Sequence, residues 1–429
     1  MPEADSTTPP KTDSFAALRF KDFRSYLTMR FFFTFAYQMQ NVVLGIYIYD
    51  VTHDKFALGL IGLYEAIPAI GLSLYGGYIA DKLEKRKMLL LIFGTIFFSS
   101  VVMMAATHKG AGDYLHMHTV VPIIYGMLFI NGLARAFYAP AAFSVLANSV
   151  PREVYPNSST WNSSSWQIAS IIAPVVGSFI YAYMGITGAF TTIVLFLAVA
   201  FVSVCLLKKV PPVFKPKEGM WKSLSEGIRF VFNTKMMVGA LSLDMFSVFF
   251  GGAVALLPVF AKDILHVGPE GVGVMRGATS LGAVLSMLTM TRFSPMGKPW
   301  RNLLIAVAGF GMSIICFGLS RNFYLSLVFL FTEGAFDSIS VLIRGTIMQM
   351  LTPDEMRGRV SAVNQMFIGS SNEIGEFESG VAAKLLDTVP AVLFGGTMTL
   401  IVVSITYLKT KKLVPLTLYD INKKPEMAA

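Results

Sequence analysis

Glu333 and Asp337 stand four residues apart in an otherwise apolar run, and Arg344 follows seven residues after Asp337. At helical spacing all three share a face. Two carboxylates this close repel one another when both are ionised, which suits a site that takes up and releases a proton. Arg344 would then favour the ionised form, or else hold Asp337 in a fixed structural ion pair. Glu373 and Glu376 form a second pair three residues apart, with Glu378 turned away. Glu65 and Asp244 stand alone in their own apolar runs. Carboxylates in such runs are expensive unless they serve a pathway or meet a cation, so all six are candidates for coupling to protons. The competing reading of each is an ion pair with Arg135, Arg276 or Arg344.

Arg135 lies in Gly132-Leu133-Ala134-Arg135-Ala136-Phe137-Tyr138-Ala139-Pro140, where it must face a cavity or a carboxylate, or snorkel from a helix end. With Gln38, Asn41, Trp166 and Arg344 it makes up the candidate lining of a substrate cavity. All five histidines fall between apolar runs. His116-x-His118 has a spacing compatible with a divalent metal, but solvated loop positions explain the pair equally. No histidine cluster lies inside an apolar run, which argues against an intramembrane metalloenzyme. Cys205 and Cys316 sit in separate runs and indicate neither a disulfide framework nor a thiolate metal site. No cofactor is called for, and the chain does not read as an enzyme.

The elements that must hold these groups are plain from composition. Of 429 residues, 54% are hydrophobic and only 14% charged, where a soluble protein carries nearer a quarter. The mean hydropathy is +0.60. Apolar runs fall at 25–49, 58–79, 88–106, 120–147, 158–182 and 188–207, then at 236–260, 271–291, 302–320, 324–348, 358–383 and 390–408. Each is near the roughly 20 residues that cross a bilayer as a helix. The expected fold is an all-α membrane protein of 12 transmembrane helices. Residues 1–20 are expected to be a disordered tail, 21–207 and 236–408 two six-helix bundles, and 409–429 a second tail. Between the bundles, 208–235 reads as a polar linker whose stretch from Trp221 to Phe232 has the spacing of an amphipathic surface helix. No apolar signal segment precedes the first run.

Charge sets the orientation. Of the 35 Lys and Arg, 26 lie on the side of the termini and central linker, and five on the other. Both termini are therefore expected in the cytoplasm. The net charge of +9 is accounted for by these loops, so nucleic acid is not an expected partner. The expected partners are a lipid bilayer, a small-molecule substrate and protons, acting on a monomer.

Gly77-x-x-x-Asp81-Lys82-x-x-Lys85-Arg86 resembles the loop between the second and third helices of major facilitator superfamily transporters, with Glu84 where that motif has a second glycine. The resemblance implies a conformational gate formed by Gly77, Asp81, Lys82, Lys85 and Arg86, with Asp81 as a latch. Ala173-Pro174-Val175-Val176-Gly177-Ser178 resembles a degenerate form of the antiporter motif of drug exporters. Pro174 would bend the fifth span, and Gly177 would let helices approach, with or without a role in export. Val150-Pro151-Arg152-Glu153 and Thr352-Pro353-Asp354-Glu355 lead into the fifth and eleventh spans, as in a chain of two similar halves. The text from Ala136 to Gly185, Phe23-Arg24-x-Tyr26, Gln38-Met39-Gln40 and Met356-Arg357-Gly358-Arg359-Val360 is similar to the enterobactin-exporter branch of the superfamily. That likeness implies two pseudo-symmetric bundles in a bacterial inner membrane, exporting a siderophore or drug-like amphiphile against proton entry. A transporter of a metal ion or lipid, and a receptor or scaffold on the same fold, are the alternatives.

Overall fold

The computed structural model describes residues 13–108, 117–209, 220–353, 356–417 and 420, apart from certain side chains near 73–81, 220–224 and 357–370. The helices are α1 (Lys21–Thr52), α2 (Lys55–Lys82), α3 (Lys85–Thr107), α4 (Met117–Ser149), α5 (Tyr155–Cys205), α6 (Met220–Asn233) and α7 (Lys235–Phe250). They continue as α8 (Pro269–Arg292), α9 (Pro299–Leu319), α10 (Phe323–Leu351), α11 (Arg357–Leu386) and α12 (Thr388–Lys409). Ten segments among the described residues are long and apolar enough to cross a membrane. Two further passes follow from geometry. α5 has 51 residues and turns back at Gly185, whose φ of 67° and ψ of −171° are non-helical. A left-handed φ is cheap only for glycine, so one residue replaces the expected loop between the fifth and sixth spans. α11 is too charged to be classed by composition, yet its 30 residues exceed the span of a bilayer. The described fold thus makes twelve passes.

α7 stops at Gly251, and the chain continues to Ile264 through short 3-10, α and π turns. Gly251 and Gly252 lie too close to Phe310 and Ser379 for any side chain, and Pro258 follows. Backbone irregularity at membrane depth is tolerated because it is packed inside protein.

The 3-10 turn at 16–19, helix α6, the described residues after α12 and the starts of α1, α3, α5, α7, α9 and α11 share one face, called here the terminal face. Residues 16–19 form a 3-10 turn rather than a disordered tail. The Ala17 N–H donates to Asn157 Oδ1 (2.9 Å), and the Trp161 indole N–H donates to the Ser14 carbonyl (2.9 Å). These bonds satisfy donors that a free tail would leave to water, and they pin the turn to α5. The segment after α12 is also docked: Leu413 is buried, and the Trp300 indole N–H donates to Thr410 Oγ1 (2.9 Å). α6 has one apolar face, and that face packs on protein. It buries Val231 against α11, where Arg359 pairs with Glu226 at 2.6 Å.

The two halves meet along two related seams, α2 on α11 and α5 on α8. Both seams are built on small residues. A Cβ on Gly59 would lie 2.9 Å from the Phe377 carbonyl and 3.1 Å from Gly380 Cα. A Cβ on Gly273 would lie 2.8 Å from Ser178 Cβ, and one on Gly277 would lie 3.2 Å from Val175. Gly177 packs on Met39 of α1 in the same way. The Pro174 segment therefore binds α5 to its own bundle and to the opposite one.

Candidate functional site

Where the seams reach mid-membrane, four helices converge on Arg135. Gly132 is pressed against the Glu65 carbonyl and the Pro68 ring, so α4 crosses α2 at close range. One turn along α4, Arg135 Nη1 meets Glu65 Oε1 of α2 at 2.8 Å and Glu373 Oε1 of α11 at 3.1 Å. It also donates to the Tyr37 hydroxyl of α1 (2.6 Å), and its guanidinium lies 4.7 Å from the Tyr37 ring centre. One cation thus holds two carboxylates, one from each half of the protein. The group carries a net charge of −1 with both acids ionised.

Glu376, one turn along α11, places its carboxylate beside Gly62 of α2 and within electrostatic reach of Arg276 on α8. Asn41 borders the same cluster through Tyr37. Trp166 keeps 44% of its surface open on α5, while Gln38 is partly buried and has no described hydrogen bond.

Glu65 and Asp244, each alone in its own run, take the competing reading of an ion pair. Glu65 is bound to Arg135, and Asp244 of α7 is bound directly to Arg344 of α10. Helical spacing offers Arg344 the Asp337 carboxylate on its own helix, because it ignores the neighbouring helix. α7 supplies the nearer acid. Arg344 is 4% exposed and so faces packed protein rather than an open cavity.

That leaves Glu333 and Asp337. Gly334, beside Glu333 on α10, abuts the Thr279 carbonyl of α8, and Asp337 follows one turn on. Glu333 is 7% exposed, and its Oε2 has no hydrogen-bond partner among the described residues. No lysine or arginine forms a described ion pair with either acid. Among the described residues they share with Glu378 of α11 the lack of a described ion pair or attracting cation.

The far face, opposite the termini, is closed by charge. Lys55 binds Asp387, Lys262 Nζ meets Asp50 Oδ1 at 2.6 Å, and Lys384 Nζ lies 3.6 Å from Asp54 Oδ2. The Tyr49 hydroxyl donates to Asp263, and the Tyr181 hydroxyl donates to Asp50 (2.9 Å). All but the last cross from one half to the other. Towards the terminal face the described polar contact between halves is Gln167 Nε2 to Met287 Sδ at 3.9 Å. This charged closure escaped sequence reasoning, because its members are ordinary loop residues more than 200 positions apart. Tyr37 was missed as well, although it adjoins Gln38.

The Asp81 and Gly77 side positions, His116, the His118 side chain and Glu355 lie outside the described residues. Around them, Lys82 is exposed, while Lys85 is buried at the start of α3 and donates to the Leu83 carbonyl (3.2 Å). Arg86 donates to the Cys205 carbonyl at the end of α5. Arg86 therefore ties the loop between α2 and α3 to α5 of its own bundle, and Lys85 braces that loop internally.

The family model for transmembrane secretion effectors (MFS_3) matches residues 12–425. The enterobactin exporter EntS of Shigella boydii serotype 18 is 25% identical over 346 residues, which is 80% of either chain. The EntS of Escherichia coli O139:H28 matches to the same extent. In fold, the D-xylose–proton symporter superposes with a TM-score of 0.70 at 14% identity, covering 92% of this chain and 98% of that one. A bacterial homologue of the lysosomal transporter Spinster gives 0.67 at 12%, covering 91% and 96%. With its twelve passes, its two packed halves and a family match over nearly its whole length, the chain belongs to the transmembrane secretion effector family of the major facilitator superfamily, and it is a membrane transporter rather than an enzyme.

Proposed function

We propose that this protein is a proton-driven exporter of an amphipathic organic molecule, of the siderophore or drug-like class, in a bacterial inner membrane. The similarity to enterobactin exporters supports the direction and the substrate class. The charge count places the terminal face in the cytoplasm. With the far face held shut by charge, the terminal face is the side from which cargo would load. Residues 21–207 and 236–408 are the two bodies that rock about the seams.

The observation that carries the reading is the Arg135–Glu65–Glu373 group. Opening the far face must draw α2 from α11, and so must pull Glu373 away from Arg135. Separating an ionised carboxylate from its partner in a low dielectric is costly. Protonating Glu373 removes that attraction and leaves Arg135 neutralised by Glu65. A proton taken from the far side therefore holds the far face open, and its release towards the terminal face, as Arg135 rejoins Glu373, completes closure. Glu333 and Asp337, which have no ion pair with lysine or arginine among the described residues, form a second proton-binding pair in the same half.

Proteoliposomes test this directly. Glu373→Gln and Asp337→Asn should each give folded protein that exchanges cargo down its gradient but no longer accumulates it in response to a pH gradient. If both variants pump normally with unchanged pH dependence, the proposed coupling is wrong.

A further inference from the structure

Four arginines lie within the membrane spans: Arg30, Arg135, Arg276 and Arg344. Three have an acid: Glu65 and Glu373 for Arg135, Glu376 for Arg276, and Asp244 for Arg344. Arg30 has none among the described residues. Its Nη1 donates to the Tyr138 hydroxyl of α4 at 3.0 Å, and its guanidinium lies 5.7 Å from that ring's centre. Its Nε is enclosed and has no hydrogen-bond partner. A neutral phenol accepts one hydrogen bond but cancels no charge.

The surroundings are aromatic. The Phe33 ring lies 4.7 Å from Tyr138, and Phe93 of α3 lies 6.0 Å from it. Tyr26, one turn before Arg30, donates to Asn162 Oδ1 of α5 (3.2 Å), so α1, α3, α4 and α5 together fix the site. Arg30 is seven residues, about 10 Å, nearer the terminal face than Tyr37, and Tyr138 is about 4.5 Å nearer than Arg135. Cargo loading from the terminal face would meet this level before the central ion cluster.

Guanidinium does not lose its proton, so a partly buried one without an acid stays charged and must be answered from elsewhere. We infer that Arg30 and Tyr138 form a substrate subsite for an organic anion bearing an aromatic ring. The carboxylate or phenolate takes the terminal guanidinium nitrogens, while its ring stacks on Tyr138, which the buried Phe33 backs at 4.7 Å. The inference rests on the transport reading and narrows its cargo. Its selectivity is nonetheless independent of the coupling ion.

Binding to full-length protein in lipid nanodiscs, with empty nanodiscs subtracted, provides the test. The probes are salicylate and its neutral amide, salicylamide. Wild type should prefer the anion by about tenfold or more, the scale of a hydrogen-bonded charge pair. Arg30→Gln should bring the two probes to within about twofold, and Arg30→Lys should keep part of the preference. Thermal unfolding of each variant checks the fold. If Arg30→Gln does not fold, Arg30→Lys and Tyr138→Phe must each lower the preference. A purely structural Arg30 would change neither ratio. A wild type that binds both probes equally, or binds no salicylate, overturns the inference. So does a preference that survives Arg30→Gln and disappears in Arg135→Gln. Failure of proton coupling with the anion preference intact would reject the proposed function alone.

Discussion

Asp244 and Arg344 show how strongly one neighbour decides what a buried charge does. Each is almost fully enclosed, and each is the other's counter-charge. Removing one partner leaves the other buried and alone, which costs about 3–5 kcal/mol, whereas replacing both by apolar residues is often neutral. Asp244→Asn is therefore expected to lower the thermal unfolding midpoint sharply in detergent. The double variant Asp244→Leu with Arg344→Met should recover most of the loss. Equal damage from the single and the double variant would show that the pair contributes by packing alone. Glu373 differs because its arginine already holds Glu65. Glu373→Gln is expected to cost much less stability than Asp244→Asn, measured in the same way.

At the scale of elements, the small residues of the seams set which way the protein is closed. Gly59 and Gly380 bring α2 and α11 into backbone contact near the far face. Gly59→Val would drive its side chain into the Phe377 carbonyl and Gly380, neither of which is a flexible chain end. The helices must then part at that level, and the balance moves towards a state open on the far face. Cysteines placed at Tyr49 and at Lys384 should label faster with an impermeant thiol reagent in Gly59→Val than in the parent. Unchanged labelling would mean that the seam yields elsewhere. Gly185 plays a different part: its left-handed backbone turns one continuous helix into two passes. There the constraint is conformational and not a matter of space.

For the whole molecule, the far face is held by exposed ion pairs between the halves. Exposed pairs are individually weak and screened by salt, so neutralising one should change little. Exchanging the sign of Lys55 turns attraction to Asp387 into repulsion. Lys55→Glu is expected to increase far-face labelling, and adding Asp387→Lys should reverse it. The response to pH has a definite sign. The hydrogen bond from Lys55, with a further one from the Thr388 N–H, holds the Asp387 carboxyl below its ordinary value of 3.8. A lowered carboxylate contributes stability above that ordinary value and loses it only as pH falls through the lowered one. Closure through this pair should stay constant from about pH 8 to 5 and weaken at high salt. A change within that pH window would place the sensitive group elsewhere, with Glu373 the first to examine by repeating the titration in Glu373→Gln.

Run length and charge were enough to determine that this is a helical membrane protein, because a span must satisfy its backbone internally and be apolar over a fixed length. The amphipathic helix of the linker was legible for the same reason of periodicity. The arginine of α4 and the acids of α2, α10 and α11 were also visible, since a charge in an apolar run stands out whatever it touches. Their partners were not. Glu65 and Glu373 are 308 residues apart, and only the crossing of α2 and α11 brings both to Arg135. Spacing along one helix put Arg344 with Asp337, and packing against α7 gave it to Asp244. The bond of Arg30 to Tyr138 and the ion pairs of the far face are likewise set by helix rotation and approach. Those depend on where glycines let backbones touch, a property of pairs of helices that neither sequence in the pair contains.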